Sequence, residues 1–220
     1  MLSATPLEPA ELATVFSNSP ASLRRKLEDP PKLRESGWGL ATLDQAKLLH
    51  GELIRVESSR MAVDLYRDGG LFLIGHISSN FLAWSDTSEL RIHPLALVEF
   101  TVNFTRFYKE VLRDFRVTPE RIRFKAELRN LHLSNLMTTL RAGEVQKRQH
   151  ETYSAEQEAP CDGWSKEIVV SSDGYNPDRV AYLLLHELYL WFGHVDEAIP
   201  YTKESEEGLV IDADMIAKIN

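Results

Sequence analysis

The chain has one cysteine, Cys161, among its 220 residues, so it can build neither an intramolecular disulfide framework nor a cysteine zinc cluster. No stretch approaches the roughly 20 consecutive apolar residues that a helix needs to span a bilayer. The opening MLSATPLEPAELA lacks both the basic flank and the sustained apolar run of a secretory signal. Serine is nowhere framed as G-x-S-x-G, and Ser78-Ser79 and Ser171-Ser172 stand in turn-like contexts, so no nucleophile elbow is present. The glycine pairs at 37 and 39 and at 69 and 70 match neither a phosphate loop nor a dinucleotide fingerprint. Basic charge is in deficit: 33 acidic against 25 basic residues leave a net charge of −8, which repels phosphate backbones unless the cations are segregated on one face. These absences predict a cytoplasmic protein without cofactor and without membrane contact.

What is present is ordinary globular material, 43% hydrophobic and 26% charged, enough for one substantial core. Its organising stretch is Pro94 to Phe115. At 100° per residue Leu97, Phe100, Phe104, Phe107, Tyr108, Val111 and Phe115 share one arc. Glu99, Asn103, Arg106, Glu110, Arg113 and Asp114 crowd the other. The spacing predicts a long amphipathic helix, started by Pro94, with its aromatic face in the core and its polar face in water.

Residues 1–36 read as a leader or linker with short helices at Leu7 to Phe16 and Ser22 to Leu27, stopped by Pro30-Pro31. Residues 37–220 read as a single domain. Gly37-Trp38-Gly39 suits a strand or bulge that brings backbone close to another element. Ile54 to Arg67 and Leu71 to Ile77 read as strands joined by a tight turn at Asp68-Gly69-Gly70, with Phe81 to Trp84 as a third. From Arg121 to Leu133, Ile122, Phe124, Ala126 and Leu128 alternate with Arg121, Arg123, Lys125, Glu127 and Arg129, predicting an edge strand or one exposed on a single face. The segment near 143–163 is polar and predicts a mobile loop with Cys161 exposed at its end. Glu167 to Ser171 offers a further short strand. Asn176-Pro177-Asp178 opens a second helix, apolar on nearly every side, that closes at Gly193; residues 197–220 read as an extended arm with a final turn. The expected class is α+β: an antiparallel sheet covered by the long amphipathic helix and the second apolar helix.

Three patterns bear on chemistry. His186-Glu187 has the start of a metalloprotease helix signature, but position 190 is Leu where the second histidine must stand, and His194 lies about 12 Å further along the helix axis. A hydrolase using His186 and Glu187 is the weaker alternative, and no metal site is expected. Arg121, Arg123, Lys125 and Arg129 line one strand face, with Arg141, Lys147 and Arg148 as an extension. They could contact phosphates without reading bases, or simply carry charge against edge-to-edge pairing. The second use is preferred, so nucleic acid is a disfavoured partner and another protein, or a second copy, the expected one.

The order Gly37-Trp38-Gly39-Leu40-Ala41-Thr42, Tyr66-Arg67-Asp68-Gly69-Gly70-Leu71-Phe72, Trp84, Leu97-Val98-Glu99 and Leu183 to Phe192-Gly193 resembles the C-terminal region of certain bacterial proteins. Those proteins carry a Schlafen-type, AlbA-like DNA-binding domain at the N-terminus. The resemblance covers about residues 35 to 200 and rests on apolar and turn residues. It implies an accessory module with no catalytic residues, because the nucleic-acid or nucleotide role in that family belongs to the N-terminal domain. The expected function is a non-catalytic interaction or regulatory module of a bacterial cytoplasmic protein.

Overall fold

The computed structural model describes residues 1–10, 12, 21–40, 45–75, 91–115, 117–133, 136–145, 151–195 and 199–219. In chain order these form β1 (Leu2–Pro6), α1 (Ala21–Glu28), β2 (Lys47–Leu49), β3 (Leu53–Glu57), β4 (Met61–Tyr66), β5 (Leu71–Gly75), β6 (Arg91–Ile92), α2 (Pro94–Leu112) and β7 (Arg121–Arg129). Then come β8 (His132–Leu133), β9 (Leu136–Met137), β10 (Thr139–Val145), β11 (Glu151–Glu158), β12 (Gly163–Ser171), α3 (Pro177–Trp191), β13 (Thr202–Ser205), β14 (Gly208–Ile211) and α4 (Ala213–Ala217). Seven strands make an antiparallel sheet in the order β12-β7-β1-β5-β4-β3-β2. A smaller sheet has the order β11-β10-β6, with β6 and β10 parallel. The expected α+β class is what the chain adopts.

The long helix is where the pattern put it. His93 caps it, its Nδ1 accepting from the Ala96 amide at 3.5 Å, and Pro94 occupies the first turn. Phe100, Phe104, Phe107, Tyr108 and Val111 are buried against the sheet's inner face, where Ile54, Val56, Val63, Leu65, Leu71, Leu73, Ile122 and Phe124 meet them. Leu97, expected on the sheet-facing arc, instead packs with Val98 and Val102 into a second core with Tyr182, Leu185 and Tyr189 of α3 and Ile216 of α4. Each such side chain contributes on the order of 1.5–3 kcal/mol on burial, so α2 stands between two cores and anchors both.

The Asp68-Gly69-Gly70 turn joins β4 to β5 as expected. Gly69 has φ +83°, and Asp68 Oδ1 accepts from the Gly70 amide at 2.9 Å. The predicted first strand is in fact two. Ser58 Oγ accepts from the amides of Arg60 and Met61, and this side-chain turn folds β3 back on β4. In α3, Asn176 Oδ1 accepts from the Asp178 and Arg179 amides and Gly193 takes φ +85° just past the end, so both predicted caps are present. The expected tail arm is a β13–β14 hairpin followed by α4, capped by Asp212.

Two expectations need correction. Residues 1–36 are not a separate leader: β1 lies inside the large sheet, pairing with β7 on one side and β5 on the other. Its five residues carry only Leu2 and Ala4 inward, too short an alternation to stand out in the sequence. The α1 helix covers the Ser22 to Leu27 expectation and buries Leu23 and Leu27; most of the helix expected at Leu7 to Phe16 lies outside the described residues, as does Phe81 to Trp84. The segment near 143–163 is not a loop throughout, because β10 and β11 pair antiparallel across it. Polar composition does not prevent pairing when backbone hydrogen bonds and cross-strand charge pairs supply the cohesion, as Glu156 does with Arg141 and with Arg91 of β6. Of the two readings of Arg121 to Leu133, the strand exposed on a single face holds and the edge strand does not, since β12 pairs along the whole length of β7.

Candidate functional site

The outer face of the seven-stranded sheet carries the basic row, and strand registry fixes what stands beside it. Glu167, Lys125, Ser3, Phe72, Asp64, Arg55 and Lys47 lie side by side across β12, β7, β1, β5, β4, β3 and β2. The pleat that turns Ile122, Phe124 and Ala126 inward turns Arg121, Arg123, Lys125 and Arg129 outward together, so the structure brings all four predicted residues onto one face.

They do not face solvent as free cations. Glu8 accepts from Arg121 Nε at 2.9 Å and from its backbone amide at 3.0 Å, and the amide bond above all holds the Glu8 carboxyl below its ordinary range. Arg123 lies 3.6 Å from Glu167, and Lys125 lies 3.2 Å from Glu127 and 4.0 Å from Glu167. Arg129 bonds Glu127, whose carboxyl is lowered chiefly by that bond, against the burial that opposes it. Three carboxylates thus meet four cations, and the row has little net charge left for a phosphate backbone.

The same self-pairing continues to the far side of the sheet. Arg55 grips the buried Asp64 with both ends of its guanidinium, at 2.7 Å each, and Lys47 lies 3.7 Å from Glu57. Between the two charged margins lies an apolar centre. Ile74 is 48% exposed and Tyr66 38%, and the Tyr66 ring meets Phe72 edge to face with centroids 5.3 Å apart.

The other predicted residues are held elsewhere. Glu187 on α3 pairs with Lys166 of β12 at 3.1 Å, while His186 stacks on Tyr182 at 5.5 Å. His194 is buried, its Nε2 bonding the Leu140 carbonyl at 2.9 Å, which ties the end of α3 to β10. Among the described residues no group of three or more His, Cys, Asp or Glu side chains could hold a metal ion. Cys161 is exposed, as expected.

One cluster was not foreseen. Glu99 and Asn103, expected in water, are fully buried. Arg34 reaches Glu99 through Nη2 at 2.6 Å and Nε at 3.2 Å, and Asn103 donates to the Trp38 carbonyl at 3.0 Å. Trp38 stacks on His93 with centroids 5.4 Å apart. Burial first, then the Arg141 and Arg34 charges, push His93 down to about 4. The available signal was Gly37-Trp38-Gly39: it forms no strand, but it does bring backbone against another element, the α2 polar stripe.

No protein-family model, no curated protein and no solved structure matches the chain. No helix among the described residues is long and apolar enough to cross a membrane.

Proposed function

We propose that the chain is a non-catalytic interaction module whose contact surface is the outer face of the seven-stranded sheet. The observation that carries this reading is the neutralised basic row beside an apolar centre made by the exposed Ile74 and Tyr66 and the half-buried Phe72. A nucleic-acid site needs surplus cations to displace counterions, and here each cation already has a carboxylate within about one ion-pair distance. A protein contact needs desolvated apolar area with a satisfied polar rim, which this face offers. The partner is another protein, in keeping with the accessory role that the Schlafen resemblance implies.

The test is a photo-crosslinking side chain at position 74 of the full chain, irradiated in the cells it comes from. A discrete protein adduct that disappears in the Tyr66→Asp background is the expected result. No protein adduct, or one indifferent to Tyr66→Asp, contradicts the reading.

A further inference from the structure

We propose that β12 is a dimer seam, at which a second copy of the chain adds its own β12 antiparallel and joins the two large sheets into one. The two ends of the sheet are built differently. β2 is three residues long and carries the exposed Lys47, a short charged strand of the kind that keeps an edge from pairing. β12 is nine residues long, holds one unbroken register with β7 and contains no proline. The cations expected to guard an edge stand one strand further in, on β7, where Arg123 and Lys125 offset Glu167, the one charge on the outer side of β12. Lys166, on the inner side, is engaged by Glu187 of α3.

Hydrogen-bond parity shows which main-chain groups are free. The Asp162 carbonyl accepts from the Leu131 amide at 3.1 Å and the Ser172 amide donates to the Glu120 carbonyl at 2.9 Å, so the main chain at even positions faces β7. The groups of Gly163, Ser165, Glu167, Val169 and Ser171 point away from it, and among the described residues no strand pairs with them. Apolar cover is unfinished at the same place. Val169 is 51% exposed, Ile168 and Val170 are half-buried, and Leu190, one helical turn from Glu187 on α3, is 42% exposed.

A second copy is the occupant this strand fits. Free groups must meet free groups, so a two-fold seam centres on a residue near the middle of the strand. Centred on 166 or 167, it sets Lys166 or Glu167 against its own copy, like charge on like. Centred on Ile168, it sets Ile168 against Ile168, Ser165 against Ser171 and Glu167 against Val169, with no like charges opposed. This seam lies at the rim of the sheet, apart from the Ile74 and Tyr66 centre, so its test is separate from that of the outer-face contact.

Sedimentation of the full chain at about 10–100 μM reads the association state. The expected mass is twice 25.1 kDa. Val169→Pro removes an amide that faces the free edge rather than β7, so this variant should fold and sediment at the single-chain mass. A monomeric wild type across that range, or a folded Val169→Pro variant that still dimerises, overturns the proposal. Register is read by oxidation in a Cys161→Ser background. Ile168→Cys, with Cα atoms about 4.5 Å apart across the seam, should give a covalent dimer, whereas Lys166→Cys, whose copies lie about 13 Å apart along the strand, should not. This pair decides the matter if Val169→Pro fails to fold, since equal crosslinking at 166 and 168, or none at either, contradicts the seam.

Discussion

Phe104→Ala probes the sheet-facing side of the helix that contributes to both cores. Phe104 is 1% exposed, on the face of α2 that meets the large sheet, between Phe100 and Tyr108. Removing its ring deletes the transfer free energy of the side chain and leaves a cavity. Neighbours cannot collapse into it easily, since Tyr108 is fixed edge to face on Phe124 at 5.6 Å and its hydroxyl donates to the Gly69 carbonyl at 3.2 Å. Such truncations cost about 3–5 kcal/mol, a large share of the roughly 5–15 kcal/mol that holds a domain folded. With a urea m-value of about 2–3 kcal/mol per molar, the unfolding midpoint should fall by about 1–2.5 M. The control is Glu110→Ala on the outer side of the same helix, which loses only a short i,i+3 pair with Arg113 and should cost less than about 0.5 kcal/mol. A loss below about 1 kcal/mol for Phe104→Ala, or equal losses for the two variants, would refute the placement of α2 at the centre of the fold.

Gly69→Ala combines a positive φ with a Cβ 2.0 Å from Phe115 Cζ, so it should cost about 2–4 kcal/mol in urea unfolding, partly recovered by adding Phe115→Leu. His93 binds its proton near 4 in the folded chain but near its ordinary value of 6.5 when unfolded, so the unfolded state holds more protons between those values. Its contribution is therefore complete above 6.5 and fades as the pH falls toward 4, by about 2 kcal/mol once its partial exposure is allowed for. His93→Asn keeps a capping side chain without the titration and should flatten that part of the stability profile; an unchanged profile would contradict the assignment.

Strong periods and turn chemistry made much of this fold readable. The aromatic face of α2, the Asn176-Pro177 start of α3 and the Asp68-Gly69-Gly70 turn each state a local preference that the tertiary structure keeps. The misses have a common cause. Partners distant in sequence decided them: β1 is a short strand given its place by β7 and β5, and β12 turns β7 from an edge into an interior strand. At the candidate surface the four basic positions and their shared face were legible from alternation alone. Their neutralisation was not, because it depends on Glu8 and Glu167, which only sheet registry brings beside them. The burial of Glu99 was hidden for the same reason, since its counter-ion Arg34 lies 65 residues away in the chain.

Arg121, Arg123, Lys125 and Arg129 are occupied by carboxylates of the same sheet face. Fluorescence anisotropy of labelled duplex and single-stranded oligonucleotides, titrated with the purified chain at about 0.15 M salt and across a salt series, measures it directly. No binding tighter than about 10 μM is expected, and no difference between the wild type and a variant with all four residues changed to Gln. Micromolar or tighter binding that weakens steeply with salt and is lost in that variant would contradict it and make the sheet face a nucleic-acid interface.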